Sequence, residues 1–165
     1  MIETVFWFSE LSPELSHVKM LLSLGQLQHL MAEDDSPVRL AAIQKIVCGS
    51  EEIQNEDAAC RDVLIFAYDN FRICGMLHAR KVFESVELDY IIVNSSNRGS
   101  GIASALMNKF ISHAQEVFCT NIFLEVSSLN VGAIKLYTNF KFNKINARNS
   151  YYKDGSDALI MELKL

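Results

Sequence analysis

The chain has 165 residues, of which half are hydrophobic and 21% are charged, which is the size and composition of one globular domain. Its formal net charge of -5 argues against a protein that coats nucleic-acid phosphates, because such proteins carry a basic surface. No stretch approaches the roughly 18 unbroken apolar residues of a membrane-spanning helix, and residues 5–8 are too short for a signal peptide. We therefore expect one soluble, cytoplasmic domain, a monomer or homodimer, that binds neither nucleic acid nor membrane.

The cysteines and histidines predict no metal site and no redox site. The cysteines are widely spaced and form no C-x-x-C pair, and the histidines fall in no metal-ligand spacing. We expect the cysteines to be small buried side chains in a reducing compartment. The residues concerned are Cys48, Cys60, Cys74, Cys119, His17, His29, His78 and His113.

The first third of the chain predicts a strand followed by helices. Residues 2–8 alternate weakly and are rich in aromatic side chains, as in a strand. The Ser-Pro-Glu run at 12–14 is typical of a helix start, and that helix is expected to run to about residue 22. Residues 26–50 are interrupted by an Asp-Asp-Ser-Pro run and predict one or two further helices, the second over 38–47.

The remaining two thirds alternate strands with helices. Residues 63–68 and 72–77 have a period of two and are separated by a turn at 69–70, so they predict a hairpin. The further predicted elements are a strand over 86–93, a helix over 102–117, a strand over 121–127, a helix over 131–139 and two strands over 142–151 and 157–164. This order predicts an α/β domain with a mixed sheet in which strands 86–93 and 121–127 run parallel.

The turn at residues 98–103, Arg-Gly-Ser-Gly-Ile-Ala, joins a predicted strand to the strongest predicted helix. Glycines let the backbone approach a ligand closely, and the unpaired N–H groups and positive dipole end of a helix start suit a phosphate. The turn has neither the three glycines of a dinucleotide-binding loop nor the Gly-Lys-Ser/Thr of a P-loop. Taken alone, it is equally consistent with a plain capped turn.

Four segments in the same order resemble the GCN5-related N-acetyltransferase (GNAT) family. The 98–103 turn has the Q/R-x-x-G-x-G/A form of the family's pyrophosphate loop, and Ile122–Val126 resembles its next strand. Asn130–Tyr137 is similar to its N-x-x-A-x-x-L-Y helix. Arg148–Tyr152, followed by Asp157–Met161, is similar to the closing hairpin of the ribosomal-protein alanine N-acetyltransferase subgroup. The resemblance covers roughly residues 60–165.

The resemblance implies the GNAT fold, a mixed and mostly antiparallel sheet of about seven strands flanked by helices, with a central parallel strand pair splayed around the acyl-CoA. It implies one domain over residues 1–165, with 1–50 as a variable acceptor-side part and 60–165 as the acetyl-CoA-binding and catalytic part. The implied activity is acetyl transfer from acetyl-CoA, without a metal, to the N-terminal amine of a protein such as a ribosomal protein.

The resemblance also implies roles for individual residues. Glu125, a carboxylate that would be unusual in a buried strand, takes the place of the general base, and Tyr137 that of the general acid. A tyrosine can protonate a thiolate only with help, such as a proton relay or a lowered pKa. Tyr151 and Tyr152 would line the acceptor slot. The implied cofactor contacts are Ile91, Ile92, Val93, Arg98, Gly99, Ser100, Gly101, Ile102, Ala103, Ser104 and Asn130.

Two departures from the family pattern leave alternatives open. Lys141 stands where the family has a helix-closing glycine, so we expect it at positive φ. Ser127 stands where the alanine subgroup often has arginine, which leaves the acceptor less certain. An acetyltransferase for a small amine or a lysine side chain, and a non-catalytic acyl-CoA-binding module, remain as alternatives. The two tyrosines could also simply pack a strand pair, and a covalent cysteine route has no histidine to support it.

Overall fold

The computed structural model describes residues 3–7, 60–69 and 72–165, with only the backbone described at 3–7, 60–62, 68–69 and 72. The helices predicted between residues 12 and 47 lie outside these ranges. The described elements are β1 (Glu3–Trp7), β2 (Cys60–Asp69), β3 (Arg72–Val82), β4 (Ser85–Val93), α1 (Ile102–Glu116), β5 (Asn121–Ser127), α2 (Val131–Asn139), β6 (Asn143–Arg148) and β7 (Ala158–Lys164).

The seven described strands form one sheet in the order β1-β2-β3-β4-β5-β7-β6. Every neighbouring pair is antiparallel except β4 and β5, which are parallel as predicted. That pairing covers only Ser85–Leu88 against Asn121–Leu124, whereas β4 continues to pair with β3 as far as Val93. The two parallel strands therefore separate after Leu88, which confirms the predicted splay.

A β-bulge in β4 coincides with the point of separation. His78 pairs with Tyr90 and the next residue, Ala79, pairs with Leu88. Asp89 is therefore an extra residue of β4 that pairs with no residue of β3. A bulge bends its strand and increases the local twist. The bend gives the separation of β4 from β5 a local cause.

Two side chains of β3, Arg80 and His78, contact the carboxylate of the bulged Asp89. The Arg80 guanidinium donates two hydrogen bonds to its carboxylate, at 2.8 and 2.7 Å, and the buried His78 imidazole lies 3.0 Å away. Burial alone would raise the pKa of Asp89. The hydrogen bonds and charges of His78 and Arg80 outweigh that effect and hold the pKa at about 2.

One face of the sheet, which we call the helical face, packs against α1 and α2. The apolar residues of α1 recur every three or four positions, so one side of the helix is buried against β2, β3 and β4. Gly75 allows this close packing, because a Cβ there would lie 2.8 Å from Ile102 Cγ2. The buried residues of α1 are Ile102, Leu106, Met107, Phe110 and Ala114.

The opposite face of the sheet, which we call the second face, carries its own side chains. Alternate residues of a strand point to opposite faces, so Leu64, Phe66 and Met76 are buried on the second face. In β5 the side chains that point to the helical face and are buried in its core are Ile122, Leu124 and Val126. By the same alternation, Glu125 points to the second face.

The predicted element boundaries hold closely in the middle of the chain and less well at the end. β5 and α2 have the predicted bounds, and α1 ends one residue early at Glu116. The strand predicted over 142–151 stops at Arg148, because Ser150 has a φ of +50° and its N–H donates to the Asp157 carboxylate instead. Tyr151 and Tyr152 therefore lie in the β6–β7 loop, which corrects their assignment to a strand pair. β2 and β3 are longer than the predicted 63–68 and 72–77.

The end of α2 confirms the prediction for Lys141, whose φ is +69°. Its N–H donates to the carbonyl of Thr138 and the N–H of Phe142 donates to that of Tyr137, the two bonds of a Schellman motif. The Phe142 and Tyr137 rings pack at 5.9 Å, the apolar contact that accompanies this motif. Lys141 thus adopts the left-handed backbone conformation for which glycine is the usual residue.

Neither described helix combines the length and the apolar character that crossing a bilayer requires.

Candidate functional site

A cleft of about 880 Å³ opens where β4 leaves β5, between the N-terminal ends of α1 and α2. All of the residues predicted to contact the cofactor line it, with the exception of Ser100. The lining residues are Ile91, Ile92, Val93, Asn97, Arg98, Gly99, Gly101, Ile102, Ala103, Ser104, Asn130, Gly132, Ala133 and Leu136.

The start of α1 presents backbone donors to this cleft. Gly101 is the N-cap residue with a φ of +86°, and it has no side chain to cap the helix. The N–H of Ala105 donates to the Gly101 carbonyl at 3.0 Å and begins the helical hydrogen-bond ladder. The N–H groups of residues 102–104 precede that bond and have no carbonyl one turn back. Together with the helix dipole, they form a site suited to an anion.

Short-range hydrogen bonds fix the segment that leads into α1. The Asn94 side chain accepts from the N–H of Ser96, and the Arg98 Nε–H donates to the Val93 carbonyl at 3.2 Å. The Ser100 hydroxyl donates to the Asn97 carbonyl. Ser100 therefore stabilises the loop from outside, which explains why it does not line the cleft.

The start of α2 supplies the other wall of the cleft. The Asn130 carboxamide oxygen accepts from the Ala133 N–H at 3.1 Å, so Asn130 caps the N-terminus of α2. Gly132, Ala133 and Leu136 also line the cleft; none of them was predicted as a contact, although Ala133 and Leu136 are fixed positions of the motif that Asn130–Tyr137 resembles. Their three- and four-residue spacing, which places side chains on one side of a helix, is the signal that could have found them.

Tyr137 is buried in the helical-face core and is a poor acid in this structure. Burial, with a smaller contribution from the nearby Tyr152, raises the pKa of its phenol to about 12. Of the two kinds of help named above, a lowered pKa is therefore absent from this structure. Tyr137 remains protonated at neutral pH, so its hydroxyl carries a proton that it can donate in a hydrogen bond.

Glu125 lies on the second face and forms an ion pair. Its Oε1 is 3.0 Å from Nη1 of Arg148, and its side chain is 25% exposed. It lies next to Leu124, the last residue of β5 that pairs with β4. Glu125 in β5 and Tyr137 in α2 thus lie on opposite sides of the sheet, and neither lines the 880 Å³ cleft. Glu125 does line a smaller pocket of about 330 Å³, which we call the second-face pocket, with Val82, Ser85, Val86, Glu87, Phe123, Leu124, Arg148 and Ile160.

The β6–β7 loop brings Tyr151 next to Arg148, which lines this pocket, and Tyr152 next to Tyr151. Their rings meet edge to face at 5.3 Å, and the Arg148 guanidinium lies 5.4 Å from the centre of the Tyr151 ring. The N–H of Tyr152 donates to the carbonyl of Ser156, which closes the loop. A chain of contacts therefore leads from Glu125 through Arg148 and the two tyrosines towards Tyr137.

Ser127, one of the two departures from the family pattern, anchors that loop. Its hydroxyl is 2.9 Å from the hydroxyl of Ser156 and accepts the N–H of Leu129 at 3.2 Å. The Ser156 hydroxyl in turn donates to the Asp154 carboxylate. Ser127 thus ties the end of β5 to the loop that carries the tyrosines.

The described cysteines have the properties of buried apolar residues. Cys74 donates to the Ala67 carbonyl, and Cys119 is 6% exposed. Burial raises the pKa of the Cys119 thiol, and the positive charge of Lys81 offsets this only in part. A raised pKa disfavours the thiolate, which argues against a cysteine nucleophile. Cys48 and the side chain of Cys60 lie outside the described residues, as do His17 and His29.

Comparison with known proteins agrees with this geometry. N-alpha-acetyltransferase 30 of Dictyostelium discoideum is 30% identical over 108 residues, which are 63% of this chain and 58% of that protein, so the match spans little more than half the relative's length. The crystal structure of the ribosomal-protein-S18-alanine N-acetyltransferase from Escherichia coli superimposes with a TM-score of 0.73 at 22% identity, over 98% of this chain and 94% of that one. The NatC complex bound to Gag peptide and CoA contains a chain that superimposes with a TM-score of 0.70 at 19% identity, over 99% of both chains.

The two structural matches fall below 25% identity, so they show the shared fold and no more. The sequence profile of the acetyltransferase (GNAT) family matches residues 25–142, which is well over half of the chain. This match agrees with the order of motifs, the splayed parallel strands and the cleft at the start of α1. The chain belongs to the acetyltransferase (GNAT) family.

Proposed function

We propose that this chain is an acetyl-CoA-dependent N-acetyltransferase that acetylates the N-terminal amine of a protein. The observation that carries the proposal is the cleft at the splayed strands, which collects the predicted cofactor residues around the free backbone donors of α1. The proposal treats residues 60–165 as the cofactor-binding and catalytic part and residues 1–50 as the acceptor-side part. The cytoplasmic location and the monomeric or dimeric state remain predictions from the sequence.

The start of α1 would bind the pyrophosphate of acetyl-CoA. Donors that belong to the backbone are fixed before the ligand arrives, and each hydrogen bond to a charged oxygen contributes about 1.5 to 3 kcal/mol. The apolar side chains Ile91, Ile92 and Leu136 would line the path of the pantetheine arm. The arm would then direct the thioester towards the point where β4 and β5 part.

Glu125 would act as the general base. Only a neutral amine attacks a thioester, so a base must take a proton from it, directly or through water. The new C–N bond forms as the C–S bond breaks, and the electron pair of that bond leaves with the sulfur of CoA. Glu125 lies beside the last β4–β5 pair, which supports a path for the amine from the second face to the gap between the strands.

Tyr137 would assist the departing sulfur. With a pKa of about 12 it is far less acidic than a thiol near 8.5, so complete proton transfer to free thiolate is uphill. A hydrogen bond from its phenol still stabilises the negative charge as it develops on sulfur. The amine proton passes to Glu125, and solvent then supplies the proton that converts the CoA thiolate into the thiol.

An N-terminal amine suits this site better than a lysine side chain. Near pH 7 an α-amino group is about 10 to 20% neutral, whereas a lysine amine is about 0.04% neutral. A single carboxylate base is adequate for the first. Sequence similarity to an N-alpha-acetyltransferase supports the same acceptor.

The test is a panel of acceptors with purified protein and acetyl-CoA. The panel contains peptides with free N-termini, including alanine and methionine at the first position, the same peptides with blocked N-termini and internal lysines, and small polyamines. We expect mass spectrometry to find the acetyl group on free N-termini. Transfer only to lysine side chains or small amines would favour the alternative acceptor class. Binding of CoA without transfer to any amine would favour a non-catalytic module.

A further inference from the structure

Arg148 joins two groups to which the proposed function gives separate roles. Its Nη1 lies 3.0 Å from Glu125 Oε1, and the same guanidinium lies 5.4 Å from the centre of the Tyr151 ring. The guanidinium is planar, so it can donate to a carboxylate at its edge while an aromatic ring covers its face. The side chain is therefore restrained from two directions although it is 54% exposed.

The sheet explains how residues so far apart in sequence meet. Arg148 in β6 faces Ala158 in β7, and Glu125 in β5 faces Ile160 in β7, so Arg148 reaches Glu125 across β7. Adjacent strands are about 4.8 Å apart, so the distance to be crossed is roughly two strand spacings. Ala158 carries only a methyl group at the position beneath the arginine, which leaves room for the crossing.

The pair contributes little to the stability of the fold. Half-exposed ion pairs are typically worth about 0 to 1 kcal/mol, because water screens the attraction and side-chain freedom is lost. β6 is also the edge strand of the sheet. What the contact does fix is the orientation of the Glu125 carboxylate, and a general base must lie within hydrogen-bond reach of the proton that it accepts.

We propose that Arg148 is a positioning residue for acetyl transfer, which holds the Glu125 carboxylate by Oε1 and directs Oε2 towards the acceptor amine. The proposal rests on the proposed role of Glu125 as the general base. Arg148 forms and breaks no bond: the amine proton passes to Glu125, and the electron pair of the C–S bond leaves with the sulfur. Through Tyr151 the same guanidinium links the orientation of the base to the β6–β7 loop.

The experiment combines substitutions at Arg148 with one at Glu125. Turnover is measured on the best peptide from the acceptor panel for wild type, Arg148→Gln, Arg148→Lys, Glu125→Gln and Glu125→Gln/Arg148→Gln. We expect Arg148→Gln to lower kcat by about 10- to 100-fold, the range for a misplaced catalytic group. In the Glu125→Gln background the same substitution should have almost no further effect, because both residues act through one carboxylate. Arg148→Lys should recover part of the loss, since it keeps the charge but not the planar group.

Two controls separate positioning from a structural effect. Lys144→Gln removes one positive charge from an exposed position on the same strand and should leave kcat unchanged. The CoA affinity of Arg148→Gln, measured by calorimetry, should match wild type. At high pH, where the amine is neutral without a base, its defect should shrink as that of Glu125→Gln does, which a misfolded edge strand would not produce.

The possible failures can be told apart. If Glu125→Gln retains wild-type kcat, the base is elsewhere and both the role of Glu125 and the inference are wrong. If Glu125→Gln is impaired but Arg148→Gln is not, only the inference is wrong. An equal loss from Arg148→Gln in both backgrounds would also overturn it, because Arg148 would then act independently of Glu125.

Discussion

The cleft and the second-face pocket have only β4 in common and are otherwise built from different parts of the chain. The cleft presents backbone N–H groups, a glycine at positive φ and apolar side chains. The second-face pocket presents charged side chains, among them Glu87, Glu125 and Arg148. A change of backbone conformation should therefore impair the binding of CoA, whereas a change of side-chain charge should impair turnover.

The largest effect is expected on the charged side, from Glu125→Gln. We expect kcat to fall by about 100- to 10,000-fold, the usual range for a positioned base, with little change in CoA affinity. Steady-state kinetics and calorimetry on the same preparation measure the two quantities. Glu116→Gln, the same substitution at an exposed position at the end of α1, is the control and should retain both. If Glu125→Gln lowered kcat and CoA affinity together, the assignment of turnover and CoA binding to two different sites would be wrong.

The matching substitution on the backbone side is Gly101→Val. A Cβ at Gly101 meets no protein atom within 4 Å, so within the protein itself the strain comes from its φ of +86°, which a β-branched residue adopts only at a cost. Losing two charge-assisted hydrogen bonds predicts a fall in CoA affinity of about 100-fold or more. Gly155→Val imposes similar strain at a φ of +79° outside the cleft and should leave the affinity unchanged. Unchanged affinity in Gly101→Val would remove the pyrophosphate from this loop.

Asp89→Asn tests the bulge at the boundary between the two regions. Folding lowers the pKa of Asp89 from 3.8 to about 2. The ionised carboxylate therefore adds to the free energy of unfolding fully above about pH 4, and this contribution is lost as the pH falls through about 2. The shift corresponds to roughly 2 kcal/mol, which the variant should lose near neutral pH. Urea unfolding at pH 7 and at pH 3 measures the free energy of unfolding of wild type and variant, and the difference between them should be smaller at pH 3. A difference of the same size at both pH values would mean that the Asp89 charge is not what stabilises the bulge.

The smallest effect is expected from Lys141→Gly, which concerns neither site directly. A non-glycine residue at a φ of +69° is strained, whereas glycine costs more entropy on folding, and the two effects nearly cancel. We expect a free energy of unfolding that is unchanged or higher by up to about 1 kcal/mol, with unchanged kcat. Marked destabilisation in thermal unfolding would show that the lysine side chain itself supports the end of α2.

The sequence predicted the central elements and the cleft well because both depend on local pattern. The apolar repeat of α1 and the alternation of β5 lie between clear breaks in the chain, so their bounds were within one residue. The cleft is made mostly by two short segments at helix starts, around Gly101 and Asn130, and each carries its own motif. Lys141 was placed at positive φ because it stands where the family that the chain resembles has a helix-closing glycine.

The second face was less predictable because its contacts depend on the order of strands in the sheet. Arg148 and Glu125 are 23 positions apart and meet across β7, which no local pattern reveals. The bulge at Asp89 follows from the register between β3 and β4. The raised pKa of Tyr137 follows from its burial in a core that several elements build together. Periodicity predicts which side chains are buried, but not which charged groups the sheet brings into contact.

The separate roles proposed for Glu125 on the second face and Tyr137 in the helical-face core are tested most directly by the pH dependence of kcat between pH 6 and 10. Wild type, Glu125→Gln and Tyr137→Phe are compared under single-turnover conditions on one N-terminal peptide. We predict that the Glu125→Gln defect narrows as the pH rises, because the amine becomes neutral without a base. The Tyr137→Phe defect should stay constant, because a phenol with a pKa of about 12 remains protonated throughout this range. Near wild-type turnover of Glu125→Gln at neutral pH, with chemistry shown to limit the rate, would contradict the assignment of the base to the second face.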